Sequence, residues 1–225
     1  MSYALIASIV GNGFTVISSM VVMGHLYRYR RQDLGSRLVV LSVVIIGTTA
    51  LTTSLQFVFP EVLSALRRNP EALRAGEWWR IVTPLFVQPV GWTQCVFNGM
   101  FMLAFLPLAE KLYGNGLLAL YFIPGVAVQA IMHAWNPEGG GSSSAIFGVM
   151  GGLLIYACRQ RKELPPQYFP IAISGLCAAG VLSLVGDGHG PSLLIGGLVA
   201  TMLRARPLSD RRTATVPTSI PSPSR

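Results

Sequence analysis

Three hydroxyls stand in a row behind a glycine-rich turn in Gly141-Ser142-Ser143-Ser144-Ala145-Ile146-Phe147-Gly148, at the mouth of an apolar run ending at Tyr156. A second polar group, Asp187-Gly188-His189-Gly190-Pro191-Ser192, opens another apolar run. A serine hydroxyl is a weak nucleophile until a base takes its proton, and histidine titrates near neutrality. The two segments could therefore supply nucleophile and base for acyl transfer. A plainer reading stands beside this one: serines at a helix start cap it or let two helices approach closely.

The elements that must position these groups are membrane helices. Of 225 residues, 52% are hydrophobic and only 12% charged, and the mean hydropathy is +0.54. A span needs roughly 20 mostly apolar residues. Seven runs qualify, at about 3–26, 38–59, 92–109, 115–134, 143–158, 168–186 and 190–203. The fifth and seventh are short and contain glycine. The chain is expected to be an all-α polytopic membrane protein with one domain in lipid.

Charge sets the expected orientation. Arg28, Arg30, Arg31 and Arg37 follow the first run and none precedes it, which argues against a signal peptide and puts the N-terminus outside. With seven spans, thirteen of the seventeen basic residues then fall inside, leaving Arg67, Arg68, Arg74 and Arg80 outside. The formal net charge of +8 thus reads as an orientation signal and an attraction to membrane lipids, with no nucleic-acid footprint. Residues 60–90 form a long outside connection containing Glu77-Trp78-Trp79-Arg80, and residues 205–225 read as a disordered cytosolic tail.

Other chemistries find little support. Cys95, Cys158 and Cys177 lie in or beside spans and have no metal-ligand spacing. His25, His133 and His189 are scattered, so neither a metal nor another cofactor is expected. Gly139-Gly140-Gly141 does not continue as a phosphate-binding loop.

By this topology the fifth and seventh spans run in the same direction, so the serine cluster and His189 reach the same face. Ser144, Gly148 and Gly152 recur every four residues on one, and Ser192, Gly196 and Ala200 on the other. Such small-residue stripes allow close helix contact in lipid.

Over roughly residues 38–203 these features resemble the rhomboid family of intramembrane serine proteases. Gly141-Ser142-Ser143-Ser144 with Ala145-Ile146-Phe147-Gly148 resembles its Gly-x-Ser-x motif and trailing Ala-Ile-Phe-Gly, which implies Ser143 as nucleophile. Trp79-Arg80 is similar to its loop pair, and Glu110 with Gly114 to the Glu-x-x-x-Gly that closes its second core helix. Asn98 matches a position that stabilises the oxyanion, with Gln94 as a second donor. The resemblance implies His189 as base, followed by Ser192 and Gly196. A register through Leu194-Ile195-Gly196-Gly197-Leu198 would instead put Leu194 there, implying an inactive rhomboid-like protein that binds membrane helices. His189 is preferred because a helix opening at Pro191 keeps it level with Ser143.

Three departures accompany the resemblance: Ser144 replaces a usual glycine, and Gln88 and Gln94 stand where histidines are common. Asp187 reads as an N-cap of the last span, leaving a Ser–His dyad without a third carboxylate. Residues 1–37 would add a transmembrane helix and cytosolic loop to a six-helix domain at 38–204. The implied function is a serine endopeptidase cutting transmembrane protein substrates, by default in a bacterial plasma membrane.

Overall fold

The computed structural model describes residues 2–34, 39–132 and 138–207, with backbone alone for residues 29–34. His133 and residues 208–225 lie outside the described residues. The described chain is helical, without a β-strand: α1 Tyr3–Leu34, α2 Val40–Val58, α3 Pro60–Leu66, α4 Pro70–Arg74, α5 Trp92–Tyr113, α6 Gly116–Met132, α7 Ser143–Arg159, α8 Tyr168–Leu184 and α9 His189–Met202. Two 3-10 turns, Trp78–Ile81 and Thr83–Phe86, precede α5.

Each of the seven apolar runs is one helix. The protein is thus an all-α, multi-pass integral membrane protein, and α1, α2 and α5 contain stretches long and apolar enough to cross a membrane. The third run was expected to end near 109 but continues to Tyr113, because no helix breaker intervenes before Gly114. There the backbone turns to φ +59°, a conformation that favours glycine. The connection 60–90 is folded into α3, α4 and the two turns.

Helix α7 is the axis of the fold. Thirteen of its seventeen residues are buried, as expected for a helix that is apolar all round and enclosed by others. It packs against α9, α6, α8, α5 and α1. In lipid, helices gain little from hydrophobic transfer, so close van der Waals fit decides which of them pair.

Glycine supplies that fit. A Cβ on Gly196 would collide with the Gly148 carbonyl, and one on Gly151 with the Leu193 carbonyl. The stripe expected on α9 is therefore the contact surface, but the stripe on α7 is shared. Gly151 faces α9, whereas Gly152 faces Leu120 of α6 and the Cα of Gly148 faces Pro124 of α6. Two interfaces meet on one helix, and a four-residue repeat describes only part of either.

Glu110 joins α5 to α2. Its Oε1 accepts the Leu41 N–H at 3.0 Å, and its Oε2 accepts the Ser42 N–H at 2.7 Å and the Ser42 hydroxyl at 2.6 Å. The carboxylate thus satisfies N–H groups that α2 leaves open at its start. Helix α1 lies along α8 through a stripe of buried residues, Gly11, Thr15, Ser18, Ser19, Val22 and Leu26. Its Ile9, Phe14 and Ile17 remain exposed.

Candidate active site

The loop before Ser143 is held from both sides. The Arg68 N–H donates to the Gly139 carbonyl at 2.8 Å, and the Gly141 N–H donates to the Pro84 carbonyl at 2.7 Å. Gly141 has φ +131°, and a Cβ there would strike the Gln94 amide, so the close approach requires glycine. The chain then enters α7 at Ser143, whose first N–H groups have no acceptor within the helix.

The three hydroxyls divide. Ser142 and Ser144 are buried, and Ser143 is half-buried at the edge of a cavity of about 500 Å³. Ser142 occupies the N-cap position but makes no capping bond through its side chain; its Oγ accepts from Gln88 Nε2 at 3.1 Å. The Ser144 hydroxyl accepts from Gln129 Nε2 at 3.2 Å, and its carbonyl accepts from the Ser192 hydroxyl across the α7–α9 seam.

Ser143 faces His189, with Oγ and Nε2 3.0 Å apart. The imidazole leans on Phe147, one turn after Ser143, with ring centroids 4.4 Å apart. Leu194, the base in the alternative register, is 38% exposed on α9 and lines neither cavity beside Ser143.

Asp187, expected to cap the last helix and not to act as a third catalytic group, lies beside the imidazole. Asp187 Oδ1 lies 2.8 Å from His189 Nδ1 and accepts the His189 backbone N–H at 3.0 Å. Nδ1 makes no hydrogen bond of good geometry, so that pair is a close polar approach rather than an aligned hydrogen bond. Gly188, not Asp187, is the N-cap residue of α9. A two-residue separation favours backbone capping, but the tight turn into α9 also brings the ring back over the carboxylate. Oδ2 accepts the Ser8 hydroxyl and, at 2.7 Å, the Asn12 side-chain amide, both from α1. Burial raises the Asp187 pKa, but His189 through hydrogen bonding and charge, together with the Ser8 bond, outweighs it and holds the carboxyl well below its ordinary range.

Of the two amides expected near an oxyanion, Asn98 belongs to a relay with Gln88 and Gln56, and Gln94 bonds separately. Gln56 and Gln88 exchange bonds, with Gln56 Nε2 donating to the Gln88 carbonyl at 2.9 Å and the Gln88 N–H donating to Gln56 Oε1 at 2.8 Å. Asn98 Nδ2 donates to Gln88 Oε1 at 2.7 Å. Gln94 Nε2 donates to the Gly140 carbonyl at 3.2 Å. Each amide NH2 carries a second hydrogen. Asn98 and Gln94 line an apolar cavity of about 340 Å³ together with Ser143, His189 and Phe97.

Trp79 is half exposed and lines neither cavity beside Ser143, whereas Arg80 is buried under the loop. Its guanidinium donates to Glu77 and to the Ser64 and Arg67 carbonyls at 2.7, 2.7 and 3.0 Å. It holds α3 against the turn that carries Trp78 and Trp79. Sequence reasoning missed Gln56, Ser8 and Asn12. Ser8 and Asn12 carried a signal, since two polar side chains one helical turn apart in an apolar run need a common partner.

Comparison with known proteins shows the family. Over 156 residues the chain is 33% identical to rhomboid protease GluP of Bacillus subtilis (strain 168), covering 66% of this chain and 30% of that protein. It is 28% identical over 116 residues to YdcA of the same organism, covering 50% of this chain and 58% of that protein. It is also 32% identical over 97 residues to RHOMBOID-like protein 9, chloroplastic, of Arabidopsis thaliana, covering 42% and 22% respectively. The chain therefore spans less than two thirds of each of these relatives. The Rhomboid domain model matches residues 75–211, from the loop before Arg80 past the end of α9; the chain belongs to the rhomboid family.

Proposed function

We propose that this protein is an intramembrane serine endopeptidase that cleaves transmembrane segments of membrane proteins, with Ser143 as nucleophile and His189 as base. The observation that carries the reading is the 3.0 Å approach of His189 Nε2 to Ser143 Oγ at the edge of a cavity. Nε2 takes the hydroxyl proton as Oγ bonds to the scissile carbonyl carbon. The carbonyl oxygen gains the electron pair and is held by N–H groups at the start of α7, with Asn98 and Gln94 as further donors. Collapse of this intermediate breaks the C–N bond, and Nε2–H returns the proton to the leaving amine. Water, activated by the same nitrogen, then hydrolyses the acyl-enzyme.

The charge distribution supports an N-terminus outside, a cytosolic C-terminus and a reaction near the outer face, by default of a bacterial plasma membrane. Membrane lipids surround the helices and transmembrane proteins are the substrates. No nucleic acid or cofactor is invoked. Residues 1–37 add a helix to the six-helix domain at 38–204.

Purified protein treated with a fluorophosphonate probe and a panel of transmembrane substrates tests this reading. Labelling and cleavage should both vanish in Ser143→Ala and in His189→Ala. Cleavage retained in Ser143→Ala overturns the assignment, and Ser142→Ala and Ser144→Ala then identify a neighbouring nucleophile. An unlabelled wild-type protein that still binds membrane helices would be an inactive rhomboid-like protein.

A further inference from the structure

We infer that Asp187 is a positioning residue for His189 and that the N-terminal helix α1 holds Asp187 in place. The inference rests on the roles proposed for Ser143 and His189. An imidazole can accept the Ser143 proton at Nε2 only when its own proton is on Nδ1, and the group facing Nδ1 selects that tautomer. Here that group is Asp187 Oδ1, 2.8 Å away. Phe147 supports the ring, so the imidazole is held between an anion and an aromatic face.

The carboxylate divides its work by oxygen. Oδ1 serves His189, through the ring and through the backbone N–H. Oδ2 faces α1, where the Ser8 hydroxyl and the Asn12 amide donate to it. Asn12 is steadied in turn, because Nδ2 also donates to the Ser8 carbonyl at 2.9 Å. Neither donor belongs to the six-helix domain. Asp187 sits in the turn between α8 and α9, where its N–H donates to the Leu182 carbonyl at 2.9 Å. Gly11, beside Asn12, packs against the side chain of that same Leu182. The register of α1 along α8 therefore sets where the two donors meet the carboxylate.

A small ring rotation would bring the Nδ1–H onto Oδ1, and catalytic hydrogen bonds are commonly loose before substrate binds. Two fixed donors on Oδ2 prevent the carboxylate from swinging away to meet other partners. An anchor for the loop alone would affect stability; a positioning group also affects the reactivity of Ser143.

The test uses the full chain in detergent, with fluorophosphonate labelling resolved into a maximal rate and a probe affinity. Nitrogen NMR of isotope-labelled histidine reads the tautomer independently of activity. In a serine protease triad, neutralising the corresponding acid costs about 10⁴-fold in kcat; with the looser contact here, Asp187→Asn should slow maximal labelling at least about tenfold. Probe affinity should stay unchanged, and the Nδ1–H signal of His189 should be lost. Asn12→Ala should give a smaller loss by itself and none in the Asp187→Asn background, because it acts through the carboxylate. If Asp187→Asn fails to fold, Ser8→Ala and Asn12→Ala provide the same readouts.

An unchanged Nδ1–H signal and labelling rate in the folded variants overturns the inference, as do independent, multiplying effects of Asn12 and Asp187. Labelling that survives Ser143→Ala refutes Ser143 as the nucleophile instead, and the NMR signal still decides whether Asp187 orients His189.

Discussion

The α7–α9 seam and the α1–α8 contact are both helix pairs beside the same site, but they are built differently. At the seam, backbone meets backbone: Gly151 and Gly196 have no room for a Cβ before a carbonyl of the facing helix. Along α1, Gly13 and Gly24 have nothing within 4 Å, and a Cβ on Gly11 would meet the side chain of Leu182 rather than main chain first. The seam fixes how far Ser143 lies from His189, because a shift there must move main chain. The α1 contact adjusts how His189 is turned, through side chains that can be removed singly. Distance and orientation are thus controlled by different regions.

The largest effect should come from breaking the seam. Gly196→Val puts two methyl groups and a Cβ into the Gly148 carbonyl, and overpacking commonly costs about 1–3 kcal/mol or more. Loss of the folded state or a large fall in Tm, together with loss of labelling, is expected. A variant with normal Tm and labelling would show that the seam has slack.

A smaller effect is expected at the amide relay. Asn98→Ala removes a proposed oxyanion donor and leaves Gln88 Oε1 without its 2.7 Å bond. Loss of one such donor costs about 10²–10³-fold in kcat, and substrate kinetics should show that fall with little change in KM.

Next comes the pH response of the α1 contact. A carboxyl held low in the folded state stabilises it above the unfolded value, here 3.8, and that contribution fades as pH falls through the folded value. The wild type should therefore melt above Asp187→Asn at neutral pH, and the gap should close as the pH is lowered below that range. A gap that widens in acid would show the sign to be wrong. The smallest change is expected for Gly13→Ala, where space is open and alanine favours the helix by roughly 1 kcal/mol. Thermal melting should show an equal or slightly higher Tm, with labelling unchanged.

Much of this fold was readable because lipid enforces simple rules. Runs such as 92–109 and 168–186 must be helices, since no other open structure satisfies its backbone there. Ser143 and His189 were readable together because their spans run in the same direction. The part that stayed hidden was lateral. Nothing in the order of residues pairs Ser8 and Asn12 with Asp187, which are bonded side by side but lie at opposite ends of the chain. Gln88 was visible as a departure from the family pattern. Its link to Gln56 was not, because that depends on how the 60–90 connection folds back over α2.

The sequence by itself determined that the seven apolar runs are helices, the expected orientation, and the serine and histidine that could react. Periodicity and charge are local properties, and they suffice for those decisions. Only the tertiary structure decided which face of α7 meets α9, which amides gather near the nucleophile, and that a carboxylate stands behind the imidazole. Those outcomes depend on close fit between surfaces distant in the chain. An ångström of helix displacement would undo them without altering the sequence pattern.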